Sequence, residues 1–462
     1  MNGGINLRYV FLIALVSAMG GLLFGYDWVV IGGAKPFYEL YYQISEVPVL
    51  QGWAMSCALV GCLVGALLAG MFSDRYGRKK MLIIAAVLFV WSGVGTGAAN
   101  QFNWFIIYRI LGGFAIGIAS NLSPIYIAEI SPAAMRGRFV SINQLTVVLG
   151  ILLAQVVNML IAEPVAPGAT SEVIRESWNG QMGWRWMFWA ECVPALLFFG
   201  LAFLIPESPR WLATKNMKER SISILQKIGG EEYARNEYKE IRSTLESTTA
   251  GSGLKELFSP KLRNVLVIGL VLAVFQQWCG INVIFNYAQE IFSAAGYGVS
   301  DMLLNIVVTG VTNVIFTVVA MFMVDRWGRR SLLLFGAIGL TVIYLLMGTA
   351  YYFEVSGFAM LLIVVMAIAC YAMSLAPVMW VVISEIYPNR VRGAGMAFAT
   401  FGLWSASFIL TYTFPLLNGA LGAAGTFWTY CGICLLGFLF IKWKLPETKG
   451  KSLEEIEKEL VK

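Results

Sequence analysis

The chain of 462 residues contains no histidine, and only 13% of its residues are charged. Without histidine there is no imidazole metal ligand, no Ser-His nucleophile–base pair and no histidine proton relay. A soluble domain carries about 25% charged and about 45–50% apolar residues. Here 58% are apolar and the mean hydropathy is +0.72. That balance excludes a water-soluble globule and implies a multi-pass membrane protein. The seven cysteines (Cys57, Cys62, Cys192, Cys279, Cys370, Cys431 and Cys434) all lie in apolar runs. An odd count without loop spacing argues against a disulfide framework. Cys431-Gly-Ile-Cys434 has the spacing of a redox pair, but its apolar flanks favour small residues packed between helices. No nucleophile–base pair or metal-ligand cluster stands out, so an enzyme, a metal and a cofactor are not expected. The net charge of +6 does not imply a nucleic-acid partner, because in a membrane protein the distribution of Lys and Arg carries the information.

A membrane helix needs about 20 apolar residues. Twelve such stretches fall near 9–33, 50–72, 81–99, 103–128, 139–163, 186–206, 263–292, 302–324, 331–351, 358–386, 394–417 and 422–444. The first follows Arg8 and runs longer than the apolar core of a signal peptide, so it reads as an uncleaved helix. Basic residues gather after spans two (Arg75, Arg78, Lys79, Lys80), four (Arg136, Arg138), eight (Arg326, Arg329, Arg330) and ten (Arg390, Arg392). The other connections carry few: Lys35, Arg175 and Arg185. The positive-inside rule then puts both termini in the cytoplasm of a cell whose cytoplasmic (inner) membrane holds the chain. The one long polar stretch, 207–262, is rich in Lys, Glu and Arg, with Ile222, Leu225 and Ile228 at helical spacing. It reads as short amphipathic helices on the inner face. The expected organisation is an all-α membrane protein: a six-helix bundle in 1–206, the linker 207–262, and a second six-helix bundle with a short tail in 263–462.

The two halves repeat local words. Asp74-Arg-Tyr-Gly-Arg-Lys returns as Asp325-Arg-Trp-Gly-Arg-Arg, and Glu129-Ile-Ser-Pro with Arg136-Gly returns as Glu385-Ile-Tyr-Pro with Arg392-Gly. Pro206-Glu-Ser-Pro closes the first half and Pro446-Glu-Thr-Lys the second. Near-constant offsets imply two related bundles, an arrangement suited to alternating access around a central site. Asp74 and Asp325 can accept from helix N-termini or from arginine, and Arg78, Arg136, Arg329 and Arg392 can bridge the halves. With Glu129, Glu207 and Glu385 they form a candidate cytoplasmic gate.

Gly70-x3-Asp74-Arg-x-Gly-Arg-Lys, Pro206-Glu-Ser-Pro-Arg-Trp, Gln276-Gln-x-x-Gly-Ile-Asn282 and Pro446-Glu-Thr-Lys-Gly occur in this order along essentially the whole chain. Together they resemble the sugar porter family of the major facilitator superfamily, with the greatest likeness to its proton-coupled pentose carriers. The resemblance implies a twelve-helix rocking fold that carries a monosaccharide.

Charges inside the membrane are costly and mark function. Asp27, Arg109 and Glu191 lie five or six residues from the outer ends of spans one, four and six. At 1.5 Å per residue all three sit roughly 8–9 Å below the outer surface, where they can meet. Asp27 is the expected proton carrier, paired with Arg109 when ionised and releasing it when protonated, with Glu191 competing for Arg109. The resemblance agrees in placing an acid and an arginine at these motif positions.

Sugars favour neutral amides, which donate and accept without ionic desolvation. Gln276, Gln277 and Asn282 form a row in span seven that Gly280 interrupts, and local unwinding there lets the row converge. Gln144 and Asn313 are further amides, Trp380 offers a ring face, and Phe24 and Trp404 suit apolar walls. The resemblance maps sugar contacts onto Gln144, Gln276, Gln277, Asn282 and Trp380. The chain departs from a proton-coupled pentose carrier at Leu403 (Gln there), Asn286-Tyr287 (a Tyr pair there) and Ala376 (Gly there), so the preferred sugar stays open. The expected partners are a small-molecule sugar, a proton and the lipid bilayer, with a monomer as the default. An uncoupled sugar uniporter is the main alternative. A sugar sensor is disfavoured by the short C-terminal tail, and a drug exporter by the amide row.

Overall fold

The computed structural model describes residues 4–166, 168–247, 257–388, 391–449, 455 and 459–460. Among these residues there is no β-strand; the chain is a set of long helices. Those of the first half are α1 (Leu7–Tyr41), α2 (Pro48–Tyr76), α3 (Arg78–Ala98), α4 (Phe102–Ile130), α5 (Arg136–Ile161), α6 (Trp184–Ala190) and α7 (Cys192–Ala202). The connecting segment holds α8 (Lys218–Ser247), which bends at Gly229 and Gly230. The second half follows with α9 (Arg263–Trp278), α10 (Ile281–Asn286), α11 (Ala288–Ala294), α12 (Val299–Trp327), α13 (Arg329–Tyr352), α14 (Phe358–Met373), α15 (Leu375–Ile386) and α16 (Arg392–Lys444).

Among the described residues, eleven helical stretches are long and apolar enough to cross a membrane. The last, α16, has 53 residues and contains both of the final two expected spans. A straight helix of that length would measure roughly 80 Å, against a hydrocarbon core of about 30 Å. Gly422, at φ 67° and ψ 176°, breaks it near the expected boundary. The other departures are also at breaks. Span seven is divided among α9, α10 and α11, with Gly280 in the left-handed region at φ 86°. Span ten is divided at Ser374. Helix α1 runs eight residues past the expected end of span one, through Pro36 to Tyr41. Hydropathy stops at Lys35, but the backbone continues because that lysine is buried and paired.

Packing relies on small residues, since lipid tails give apolar side chains no reason to leave them. Helices α2 and α4 interlock through glycines on both partners. A side chain at Gly61 or Gly65 would run into the backbone of Ile110 and Phe114, and one at Gly113 or Gly117 into the backbone of Ala58 and Cys62. Buried Leu225 and Ile228 fix the linker helix α8, and the Ile228 carbonyl accepts from the Asn6 backbone N–H at 2.7 Å.

Because the Gly113 contact is with backbone, neither partner can yield cheaply. Gly113→Leu is expected to destabilise the protein by about 3 kcal/mol, seen as a lowered thermal unfolding midpoint in detergent. A midpoint equal to that of the parent would disprove the close approach.

Candidate functional site

In the middle of the first half, Asp27 of α1 meets Arg109 of α4. An Arg109 Nη1 donates to Asp27 Oδ1, and Nη2 donates to the Asp27 backbone carbonyl at 3.3 Å. Both side chains are buried, at 2% exposure or less. The guanidinium also lies 5.6 Å from the centre of the Phe188 ring on α6. Glu191 sits at the α6–α7 junction, 1% exposed. Neither of its carboxylate oxygens has a hydrogen-bond partner, and Asp27 Oδ2 and Arg109 Nε are likewise unpartnered. The three groups expected to meet therefore share one buried region, but only Asp27 holds the arginine. A single guanidinium faces two acids, and the cluster is electrically neutral when one proton is bound.

The amide row lies in the second half. Gln276 Nε2 donates to the backbone carbonyls of Leu375 (3.5 Å) and Ala376 (3.4 Å), at the start of α15. Those carbonyls follow the break at Ser374, so the Gln276 amide docks the end of α9 against the start of α15. Gln276 Oε1 is buried and unpartnered. Asn282 Nδ2 donates to Gln277 Oε1 across the Gly280 turn, which joins two members of the row as the expected unwinding requires. Trp380 is half-buried on α15, one turn beyond Ala376. Gln144 is half-buried on α5 and Asn313 buried on α12, and neither makes a hydrogen bond to the row. Phe24 and Trp404 pack at 6.1 Å between ring centres, and Trp28, not foreseen from the sequence, completes the trio at 5.9 Å from each.

The acidic and basic repeats lie at the end of the bundle that carries the chain termini. Arg78 bonds Glu129 twice, at 3.1 Å, and Asp74 at 2.9 Å. Arg329 pairs with Glu385 at 3.4 Å, and Arg136 donates to the Ala128 carbonyl. Each of these contacts stays within its own half, and no described ion pair bridges the halves here. No bridge from Arg78, Arg136, Arg329 or Arg392 to the opposite half is described in this conformation: Arg78 and Arg329 meet acids of their own half, and Arg136 a backbone carbonyl. The Arg392 Nε and Nη2 are buried without a hydrogen bond. The side chain of Asp325 lies outside the described ones.

Of the two partners open to Asp74, a helix N-terminus or an arginine, the structure shows Arg78. The helix N-terminus goes to Glu207, which accepts from the backbone N–H groups of Arg78 (2.9 Å) and Lys79 (3.1 Å). Glu447 does the same for Arg329 (2.9 Å) and Arg330 (3.1 Å). Each carboxylate meets the positive end of a helix dipole. It reaches the cap because the preceding residues, Gly77 (φ 100°) and Gly328 (φ 87°), turn the chain with no side chain in the way. The repeat of Pro206-Glu-Ser and Pro446-Glu-Thr was the available signal for Glu447.

Sequence reasoning also missed a third cluster, at the opposite end. Lys35, 1% exposed, lies between Glu39 one turn along α1 (2.9 Å) and Glu290 of α11, to which its Nζ donates.

A buried charge cluster, two broken helices and repeated capped ends define a multi-pass membrane transporter rather than an enzyme. A family model described as Sugar (and other) transporter matches residues 13–460, and the chain belongs to that family. It is 40% identical to the D-xylose-proton symporter of Escherichia coli (strain K12), over 99% of this chain and 97% of that protein. It is 39% identical to the arabinose-proton symporter of Bacillus subtilis (strain 168), over 99% and 96%. Among solved structures it is similar to the inward-open conformation of the E. coli xylose transporter, with a TM-score of 0.85 and 39% identity over 98% of this chain and 100% of that one. The family is one of major facilitator transporters, and the fold agrees.

The geometry at the repeated ends makes a direct prediction. Arg78→Glu is expected to destabilise the protein by about 2 kcal/mol, less than for a fully buried pair since both side chains keep some water contact. Adding Glu129→Arg should restore most of the loss, whereas adding Glu385→Arg should restore none. Thermal unfolding of the two double variants checks which acid is the partner.

Proposed function

We propose that this protein is a proton-coupled symporter that imports a monosaccharide across the cytoplasmic membrane by alternating access. Its two halves rock as six-helix bundles with both termini in the cytoplasm. One observation carries the reading: a buried cluster of one guanidinium and two carboxylates, with four polar atoms left without a hydrogen-bond partner in and beside the ion pair. Such a site keeps its charges compensated by taking up a proton and re-pairing Arg109. Protonation of Asp27 frees Arg109, and Glu191 is the acid positioned to receive it. The printed names of the two curated relatives, a xylose- and an arabinose-proton symporter, support the same class of cargo.

The sugar is held in the second half. Gln276 Oε1, the Gln277–Asn282 pair and the Trp380 ring supply acceptors, donors and an apolar face at the two helix breaks. Gln144, half-buried on α5, is the amide the first half contributes, and the Phe24, Trp28 and Trp404 rings close the pathway. The energetics suffice. A charge moving through 100 mV releases about 2.3 kcal/mol and each pH unit about 1.36 kcal/mol, against about 1.4 kcal/mol for a tenfold sugar gradient.

Uptake of a labelled sugar panel into membrane vesicles, with and without an imposed pH gradient, tests cargo and coupling together. Asp27→Asn is expected to abolish accumulation against a gradient while sparing sugar exchange; accumulation that persists in this variant refutes the coupling role. Gln276→Ala is expected to raise KM for the transported sugar about tenfold while leaving the coupling ratio unchanged. An unchanged KM for every sugar transported would remove Gln276 from the site.

A further inference from the structure

The two halves meet where α2 packs on α16 and α5 on α12. The described hydrogen bonds, ion pairs and ring contacts that join them run from the Phe24–Trp404 level to the end opposite the termini. Among the described residues one ion pair spans the halves, Lys35 of α1 to Glu290 of α11. A glycine makes its approach close: a side chain at Gly32 would press on the backbone carbonyls of Phe285 and Asn286. The Lys35 Nζ has two carboxylates. Glu290 belongs to the other half and is 26% exposed, whereas Glu39 is on the same helix and 6% exposed. Glu39 is itself held by Gln51, whose Nε2 donates to its Oε2 at 3.3 Å.

We propose that Lys35 is the latch of the outer gate and that Glu39 is its standby counterion. In this conformation Lys35 grips Glu290 and the outer ends of the halves are closed. When they part, Glu290 leaves with the second half and gains water. Lys35 stays in the first half and loses both Glu290 and the Tyr287 ring beside it, and an ammonium left there without a counterion would oppose opening. Glu39 removes that obstacle because it travels with Lys35. The two acids therefore act in opposite directions: Glu290 stabilises the closed outer gate, and Glu39 makes the open one accessible. A merely structural cluster would not behave so, since loss of either acid would then loosen the same contact.

This inference rests on the transport reading for its meaning, but its test needs no sugar. Nitroxides are placed at exposed outer positions of the two halves, Glu46 and Ser356, by cysteine substitution in the full chain, with the seven buried or half-buried native cysteines replaced. Pulsed electron paramagnetic resonance then gives the ratio of long (open) to short (closed) distances. Glu290→Gln is expected to raise that ratio about tenfold or more, and Glu39→Gln to lower it. Should Glu39→Gln fail to fold, Glu39→Asp, which draws the carboxylate back by one methylene, must move the ratio the same way. Any other pattern, whether shifts in the same direction or no shift for either acid, overturns the latch. Opposite shifts in a protein that moves none of the sugars in the vesicle panel leave the latch standing and remove the cargo reading instead.

Discussion

A charge taken out of water has to stay partnered, and this constraint shapes helix α1 more than its hydropathy does. Asp27 and Lys35 are buried on the same helix, about 12 Å apart along its axis, and each belongs to a cluster with one cation and two acids. In the first cluster the cation is Arg109, with Asp27 and Glu191 around it. In the second it is Lys35, with Glu39 and Glu290. A one-to-one pair would be better compensated and harder to rearrange. The additional acid gives each cation a second place to go, so a rearrangement can proceed without passing through a bare charge. On the proposed function, the first cluster exchanges partners with a proton and the second with the motion of the opposite half.

The helix breaks obey the same rule for the backbone. At Gly280 and Ser374 the intrahelical ladder is interrupted inside the membrane, and such irregular backbone has to be enclosed by protein. Gln276, just before the first break, donates to two carbonyls just after the second, which ties one break to the other. What is left over, such as Gln276 Oε1, is what a hydroxylated ligand can use.

Much of this was legible in the sequence, for reasons that can be named. Membrane helices announce themselves by length and hydropathy, and Gly280 announced the break in span seven through its place in the amide row. Asp27 and Arg109 were legible as a pair because ionisable residues in apolar runs are few and their depth follows from helical rise. Lys35 was read as a loop residue because hydropathy treats a lysine next to a proline as the end of a span. Its partner Glu290 is remote in sequence, so nothing local marked the pair as buried. At the ends near the termini, the repeated acid and arginine words showed which arginines could bridge the halves, and in this conformation Arg78 and Arg329 meet Glu129 and Glu385 of their own half. Sequence spacing identified the participants; only coordinates could say which acid each arginine meets.

The two ends of the molecule therefore differ in how they spend their charges. Near the termini, Glu207 and Glu447 cap helices of their own half, and Arg78 and Arg329 meet acids of their own half, so separating the halves there breaks no described ion pair. At the opposite end, closure rests on Lys35 and Glu290, on the hydrogen bond from the Val165 N–H to Ser300 Oγ at 3.1 Å, and on edge-to-face packing of Trp53 against Phe408. A few contacts of modest strength make a gate that a bound ligand can tip, because the free energy available from one sugar or one proton is itself only a few kcal/mol. A larger or drier interface would hold the halves in one arrangement, and a transporter needs two.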